Sequence, residues 1–254
     1  MTDRTASIRA GIYRRRVLVR GKQSRVSADM EDDPHRFGVD VHHDGARVVS
    51  ISGRALRVPW TTCPHATSEL ACLAHTPLLA SPFDVLRQID TRQQCTHMAD
   101  MAALAIAAAA RDIANRQFDV ALRLAEGNDD KRYGHLSIDM GPKDEWLVDH
   151  GIVIKPVRYS GIDLTRSFKS FSYPLADDGL LELFVMRRAH LVCGGRRFDL
   201  DAFLLPAAHP WLANACFTFQ SASAKGARRV IGSTRDFTRR DMELLADLGD
   251  AVKR

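Results

Sequence analysis

The fold class depends on one stretch of the chain, Ala102-Ala103-Leu104-Ala105-Ile106-Ala107-Ala108-Ala109-Ala110, in which one leucine and one isoleucine interrupt the alanines. Alanine is the best helix former, and its small side chain lets a helix lie close to a sheet. Upstream, Asp90 and Gln93 have the spacing of a capping box at the start of a helix. We therefore predict one long helix over residues 90–114, in the centre of the core.

Segments that alternate apolar and polar residues flank this helix on both sides. Strands are predicted at 12–20, 24–31, 37–42, 46–58, 117–125, 135–140 and 145–154, and further helices at 64–74, 82–89, 178–192 and 236–248. The pattern predicts an α+β fold, with antiparallel sheets packed on a central Ala-rich helix, rather than a parallel Rossmann sheet. We expect a single domain over residues 1–254, with a mobile loop near 221–235.

The composition is typical of a soluble globular protein, since 45% of the 254 residues are hydrophobic and 26% are charged. The longest apolar run, Met101–Ala110, is too short to cross a bilayer, and no secretory signal is visible at the start of the chain. Five widely spread cysteines suit a reducing compartment. We therefore expect a cytoplasmic protein with no membrane partner, and a homodimer only on general frequency.

The net charge of +5 is uneven, because the first 25 residues hold eight basic side chains against Asp3 alone. Such an arm is compatible with nucleic acid or an acidic lipid surface. Between Ile12 and Arg20, however, the residues alternate as in a strand, which indicates that some arginines line its solvent-facing side. No helix-turn-helix, zinc-finger, RRM or KH signature accompanies them, so no nucleic-acid partner is expected. No dinucleotide, P-loop, zinc-protease or serine-hydrolase motif occurs either, so no cofactor is expected.

The first candidate site is Trp60-Thr61-Thr62-Cys63, immediately before Pro64. Proline favours the first position of a helix, so Cys63 falls near the N-cap, where amide donors and the helix dipole favour a thiolate. Trp60 offers a flat face to an aromatic substrate, and Thr61 and Thr62 offer hydroxyls. A cap threonine, a buried thiol and a core tryptophan would give the same pattern.

The second candidate site opens the central helix with Arg92, Gln94, Cys95 and His97. His97 and Asp100 stand three residues apart on one helix face, so the carboxylate can orient the imidazole as a base. Polar groups at the start of an apolar helix are either paired or functional, and a helix start also binds anions. These residues therefore predict a catalytic or anion-binding site.

Zinc is an alternative ligand for the same residues. Cys63, Cys95 and His97 supply two thiolates and an imidazole, which suit zinc. No C-x-x-C pair and no obvious fourth ligand support that assignment. A zinc site and a metal-free catalytic site therefore remain as alternative interpretations of these residues.

Two further groups carry titratable side chains. Glu31-Asp32-Asp33-Pro34-His35 could hold a general acid or base, with His35 as a substrate-binding candidate, although a solvated acidic turn is the favoured interpretation. Lys155 and Tyr159 follow a strand in the second half, where they could activate a phenol or stabilise an oxyanion. Surface residues would look the same in sequence.

Several of these motifs resemble a bacterial family, domain of unknown function 2889. The most specific matches are Pro-Trp-Thr-Thr-Cys-Pro at Pro59–Pro64 and Gln-Cys-Thr-His at Gln94–His97. Further matches, spread over nearly the whole chain, lie in Glu31–Val39, His43–Gly45, Arg187–His190, Gly195-Arg196, Asp199–Asp201 and Asp236-Phe237. The family name implies no chemistry by itself, but the resemblance implies genes placed beside bacterial aromatic catabolism.

The chain is also similar to lyases that open lignin-derived phenylcoumaran dimers and release formaldehyde to give a stilbene. That resemblance implies a base for the primary alcohol, an acid or cation for the phenoxide, and no redox cofactor. His97, oriented by Asp100, would be the base, and Arg92, with Lys155 or Tyr159, would hold the phenoxide. The alternatives are a zinc-dependent enzyme or zinc-stabilised domain, and a non-catalytic binder of aromatic acids or acyl thioesters.

Overall fold

The computed structural model describes residues 11–124, 130–166 and 179–252, with side chains as far as residue 249. Its strands are β1 (Ile12–Lys22), β2 (Arg25–Asp32), β3 (Arg36–His43), β4 (Val48–Arg57), β5 (Asn115–Leu124), β6 (Arg132–Ile138), β7 (Lys143–Asp149) and β8 (Ile152–Lys155). They form one antiparallel sheet in the order β4-β3-β2-β1-β5-β6-β7-β8. The predicted four-stranded meander at the start of the chain is confirmed, and β1 joins it to the second half by pairing with β5.

Two long helices cover the sheet. The α-helices are α1 (Pro82–Arg87), α2 (Thr96–Ala110), α3 (Gly179–Cys193) and α4 (Ser221–Gly226). The 3₁₀ segments are Cys63–Leu73, Thr91–Gln93, Val157–Tyr159, Gly194–Arg197, Leu200–Ala202, Pro206–Ala208, Pro210–Leu212, Phe217–Phe219, Asp241–Glu243 and Ala246–Val252. The Ala-rich α2 packs on β1, β2 and β3, and α3 packs on β5, β1 and β6. The predicted α+β class, with an antiparallel sheet on a central Ala-rich helix, is confirmed.

The sheet face under α2 is apolar, because alternate residues of each strand point to one side. Val17, Met30 and Phe37 are cross-strand neighbours on β1, β2 and β3, and all are buried. Two residues away, toward the strand ends, Arg15 and Asp32 are cross-strand neighbours. The fold thus places a buried ion pair on the apolar face.

The opposite face carries a layer of paired charges. Asp29 lies there without solvent exposure and binds Arg20, Arg36 and Arg54 at 3.0 to 3.1 Å. A Cβ on Gly38 would come within 2.5 Å of both the Arg54 guanidinium and the Asp29 carboxylate. A glycine is required at that position because the charged layer leaves no room for a side chain.

The C-terminal segment covers this charged layer. The Leu245 amide donates to Glu31 at 2.7 Å, and Arg16 donates to Asp119 at 2.6 Å and to the Leu244 carbonyl at 3.2 Å. Arg16 is therefore buried, and so is Arg15 on the opposite face, so these two are not among the arginines that line a solvent-facing side of β1. Their charge is compensated inside the fold.

The central helix begins later than predicted. Asp90 accepts a hydrogen bond from the Arg92 amide and caps a 3₁₀ turn, and the backbone of Cys95 is extended. The α-helix therefore starts at Thr96, and Cys95 is its N-cap residue. It ends at Ala110, before the predicted end at 114.

Two other element predictions are wrong for a backbone reason. The predicted strand 145–154 is divided into β7 and β8, because His150 and Gly151 take φ angles of 46° and 83° and reverse the chain. The predicted helix 236–248 contains only 3₁₀ segments, and Leu245 has a φ of 59°, which an α-helix cannot accommodate.

The segment 221–235, predicted to be a mobile loop, contains α4 and the buried Arg229. Arg229 donates to the Pro59 carbonyl at 3.0 Å and to Asp201 at 2.9 Å. Its mobility stays a prediction. No helix among the described residues is long and apolar enough to cross a membrane.

Candidate functional site

A cavity of about 620 Å³ lies at the end of the sheet where β2 turns into β3, beside the start of α2. The aromatic residues in its largely apolar wall are Tyr13, His35, Phe37, Trp60, His97, Phe198, His209, Trp211 and Phe219. The Trp60 and Phe219 rings meet edge to face with centroids 5.8 Å apart, and Trp60 meets His209 in the same way at 6.0 Å. A wall of this kind suits a flat aromatic ligand.

The turn between β2 and β3 places an imidazole in the wall. Asp32 Oδ1 accepts from the His35 amide at 3.1 Å and lies 2.8 Å from His35 Nδ1. The other oxygen, Oδ2, accepts from the Tyr13 hydroxyl at 2.7 Å and from Arg15 at 3.0 Å. Burial would raise the pKa of Asp32, but His35 and Arg15 hold it well below its ordinary value. The ionised carboxylate fixes His35 through Nδ1 and leaves Nε2 as the nitrogen available to a ligand.

His97 lies directly against His35. The two ring centroids are 3.8 Å apart, and Phe37 stacks on both rings at 5.7 and 5.8 Å. His97 Nε2 is buried and has no hydrogen-bond partner in the described ranges. Burial, with His35 and Arg15 in support, lowers the pKa of His97 well below its ordinary value, so the imidazole is neutral. We call His35 and His97 the histidine pair.

The acidic stretch before His35 is buried, so its interpretation as a solvated turn is wrong. Asp33 is 4% exposed, lines the cavity and is bound by Arg196, while its Oδ1 has no partner in the part of the chain that the structure describes. Burial raises the pKa of Asp33 to about 7 although Arg196 opposes the shift. A carboxyl with this pKa is partly protonated near neutral pH.

Asp100 does not orient His97, contrary to the prediction. Both of its oxygens are bound by Arg188 of α3, one of them to Nη2 at 3.1 Å. Asp100 is 1% exposed, whereas Arg188 lines the cavity. The carboxylate therefore holds a cation in the cavity wall, and the carboxylate that binds an imidazole is Asp32, whose partner is His35 rather than His97.

Burial disfavours the thiolate that the sequence predicts at Cys63. Cys63, Cys95 and Cys216 all line the cavity. Burial raises the pKa of Cys63 to about 11 and that of Cys95 further, and a hydrogen bond from Thr218 only partly offsets the effect at Cys63. Loss of water thus outweighs the helix ends that were expected to stabilise a thiolate.

The predicted zinc ligands are only partly brought together. The described residues contain one buried group whose ligand atoms all lie within 4.8 Å of one another, and its members are Asp32, His35 and His97. Cys63 and Cys95 do not belong to it. The geometry therefore favours a different partner set for His97.

Thr61 and Thr62 hold loops together and are not in the cavity wall. Thr61 exchanges two 3.0 Å hydrogen bonds with the Arg228 backbone, one of them through its own hydroxyl. The Thr62 hydroxyl donates to that of Thr218 at 3.1 Å. Both were predicted to bind substrate, and both instead fasten the C-terminal segment beside the cavity.

Gln94 is likewise a packing residue. Its amide group donates to the Glu69 carbonyl at 3.1 Å, and it is not in the cavity wall. Of the predicted substrate-binding residues, Trp60 and His35 do line the cavity. Substrate binding by Trp60 and His35 stays a prediction, whereas Thr61, Thr62 and Gln94 lie outside the cavity wall.

Three predicted catalytic residues lie outside the cavity wall. Arg92 is exposed and pairs with the neighbouring aspartate at 3.1 Å. Lys155 is exposed on the edge strand β8, 3.6 Å from Glu145. The Tyr159 hydroxyl donates to Glu182 at 2.8 Å beneath α3. None of the three can hold a phenoxide in this cavity.

No protein-family model and no curated protein matches the chain. The two resemblances inferred from the sequence motifs therefore stay predictions.

Proposed function

We propose that the protein is a lyase acting on an aromatic dimer of the phenylcoumaran type. The observation that carries the proposal is the histidine pair, with His35 held by the ionised Asp32, in the wall of an aromatic-lined cavity. An imidazole fixed by a carboxylate through one nitrogen is a general base at the other. The cavity volume of about 620 Å³ lies in the range of small-molecule sites and suits a ligand with two aromatic rings.

In this proposal, His35 takes the proton of the substrate's primary alcohol. The alkoxide oxygen forms the carbonyl of formaldehyde as the bond between that carbon and the ring carbon breaks. The released electron pair forms the stilbene double bond, and the carbon–oxygen bond of the coumaran ring breaks to leave a phenoxide. Electrons balance without an oxidant or reductant, so the reaction requires no redox cofactor.

Arg188 is the residue that we assign to the leaving phenoxide. Asp100 fixes it through Nε and Nη2, and its Nη1 has no partner among the described residues. A cation held in place before the reaction stabilises the negative charge as it develops on the oxygen. Arg188 thereby takes the part that the sequence assigned to Arg92.

The test is turnover of a phenylcoumaran dimer by the full chain, with stilbene absorbance and free formaldehyde followed together. His35→Gln should lower the rate about 10²- to 10⁴-fold, the usual contribution of a general base. His150→Gln, at an imidazole that is 77% exposed, is the matched control and should leave the rate unchanged. Equal rates for wild type and H35Q would refute the assignment of the base.

A non-catalytic binder is the second candidate, because arginines dominate the charges of the wall. The lining includes Arg132, Arg188, Arg196, Arg197, Arg229 and Arg235 beside the carboxyl groups of Asp33 and Asp236. Four of these arginines pair with acids that lie outside the lining, namely Asp130, Asp100, Asp201 and Glu31. An excess of cations suits an aromatic acid or an acyl thioester with anionic groups. Tight binding of an aromatic acid without formation of either product would favour this function over the lyase.

We also propose the cytoplasm as the place of action. All five cysteines are free thiols, and Cys72 is exposed. Free thiols persist where the compartment is reducing. Labelling of the exposed thiol in intact cells would test the assignment.

A further inference from the structure

We propose that Asp32, His35 and His97 form a binding site for one divalent transition-metal ion of the Zn²⁺ or Co²⁺ class. One ligand atom from each residue lies within 4.8 Å of the other two, and all three residues are buried. Two imidazoles and one carboxylate are a donor set that first-row metals accept at sites that keep open positions. This ligand set differs from the cysteine-based one that the sequence predicts.

The first supporting observation is the nitrogen of His97 that has no partner. Its Nε2 is buried and makes no hydrogen bond to the described residues, although it lies beside a second imidazole and near a carboxylate. A buried polar atom without a partner costs free energy, so such atoms in native proteins usually bind something. A metal ion shared with His35 would satisfy this atom.

The second supporting observation is the set of contacts behind Asp32. Tyr13 and Arg15 bind Oδ2, whereas Oδ1 accepts from the amide of His35 and lies 2.8 Å from its Nδ1, so an ion bound by both residues would take the place of the proton between them. Ligating carboxylates are usually held in this way by hydrogen bonds to their other oxygen, which fixes the ligand and tunes the metal. Asp32 is therefore positioned as metal ligands are, on a rigid turn between two central strands.

The site faces the cavity from its buried side. His35 and His97 line the cavity, whereas Asp32 does not. The remaining coordination positions of an ion would consequently open into the aromatic-lined space. An open site of this kind receives an oxygen ligand from water or from a bound molecule.

The surrounding charges set how firmly the ion is held. Arg15 and Arg188 already balance Asp32 and Asp100, so the charge of an added dication is not compensated by a further carboxylate. We therefore expect an ion that is readily removed by a chelator and restored by titration, and a protein that can be purified without it. Metal content after purification alone does not decide the question.

The experiment uses the chelator-treated full chain and titrates it with Co²⁺, whose visible absorption reports coordination by imidazole and carboxylate. Wild type should bind one Co²⁺ per chain, and one equivalent of Zn²⁺ should displace it. His35→Gln and His97→Gln should each weaken binding at least tenfold, the effect seen even when only a hydrogen-bond partner of a metal ligand is removed. His209→Gln is the matched control, because His209 is a buried histidine of the same cavity that does not belong to the group.

Two results would overturn the inference. One is the absence of a saturable cobalt spectrum in wild type, and the other is loss of binding in Cys63→Ala or Cys95→Ala rather than in the histidine variants. Should H97Q fail to fold, a Zn²⁺-dependent rise in the thermal midpoint that wild type shows and H35Q lacks decides the matter. The inference does not rest on the lyase proposal, because the cobalt titration contains no substrate. The role of His35 as a base is tested separately on the metal-free protein, in which His35 is not a ligand.

Discussion

The stability of the protein at acidic pH should depend on His190, a residue of α3 to which no function has been assigned. The side chain is 5% exposed, and its Nδ1 is buried without a partner in the described part of the chain. Burial, followed by the charge of Arg132 and less strongly that of Arg187, lowers the pKa of His190 to about 4, while Asp130 and Asp163 oppose the shift. We expect His190→Gln to make the free energy of unfolding less dependent on pH.

The magnitude follows from the pKa values of the two states. A histidine with a pKa near 6.5 in the unfolded chain and about 4 in the folded protein binds its proton more readily when unfolded. Its contribution to stability is therefore fully present above about pH 6.5 and is lost as the pH falls toward about 4. Complete protonation corresponds to about 3 kcal/mol, of which about 2 kcal/mol is lost between roughly pH 7.5 and pH 5.

The assay is urea unfolding at both pH values for wild type, H190Q and the control His150→Gln, whose imidazole is exposed. The loss of unfolding free energy on acidification should be about 2 kcal/mol smaller in H190Q than in wild type. Other buried histidines titrate equally in all three proteins, so they cancel in the comparison. An equal loss in wild type and H190Q would refute the reasoning, as would an equal reduction in the control.

Two further predictions concern the cavity wall. Asp100→Asn should lower the free energy of unfolding by about 3 to 5 kcal/mol, because it leaves the Arg188 guanidinium without its charge partner. The control is Asp90→Asn at an exposed ion pair, which should change the free energy of unfolding by less than about 0.5 kcal/mol. Equal effects of the two substitutions in urea titrations would contradict the assignment. Because the pKa of Cys63 is about 11, only about a thousandth of its thiol is ionised near pH 8. Iodoacetamide should therefore label the exposed Cys72 well before the buried Cys63, as followed by peptide mass spectrometry. Labelling in the reverse order would be inconsistent with a buried neutral thiol.

The fold was largely predictable because its signals are local. The alternation in residues 12–58 gave the meander, and the alanines of α2 gave the central helix. Both depend on periods that sequence shows directly. The wrong predictions are those in which a single positive φ interrupts an element, at His150 in the predicted strand 145–154 and at Leu245 in the predicted helix 236–248. Leucine does not indicate a positive φ, and histidine, although enriched there among residues other than glycine, indicates it only weakly.

The candidate site was only partly predictable, because pairing across strands and between helices has no local signal. His97 and Trp60 were found from their positions at helix starts, and both line the cavity. The partner of Asp100 is Arg188, which lies 88 residues away on α3. The spacing of Asp100 and His97 along one helix predicted that they pair, whereas in the structure Asp100 pairs with Arg188 of α3.

The position of Asp32, in contrast, follows from the strand period once that period is applied through to the end of β2. Ala28, Met30 and Asp32 are two residues apart, so they share the face that packs on α2, and Arg15 shares the corresponding face of β1 with Val17. A carboxylate and a guanidinium at the apolar ends of adjacent strands have to be paired with each other or with a ligand, since neither can stay buried alone. Four consecutive polar or turn-forming residues suggest a solvated turn only if the face of the sheet to which each side chain points is left out of account. Assigning sides first separates Asp32, on the α2 face with His97, from Glu31, on the charged face with Arg57. That separation is what makes one aspartate of the stretch the partner of the histidine pair.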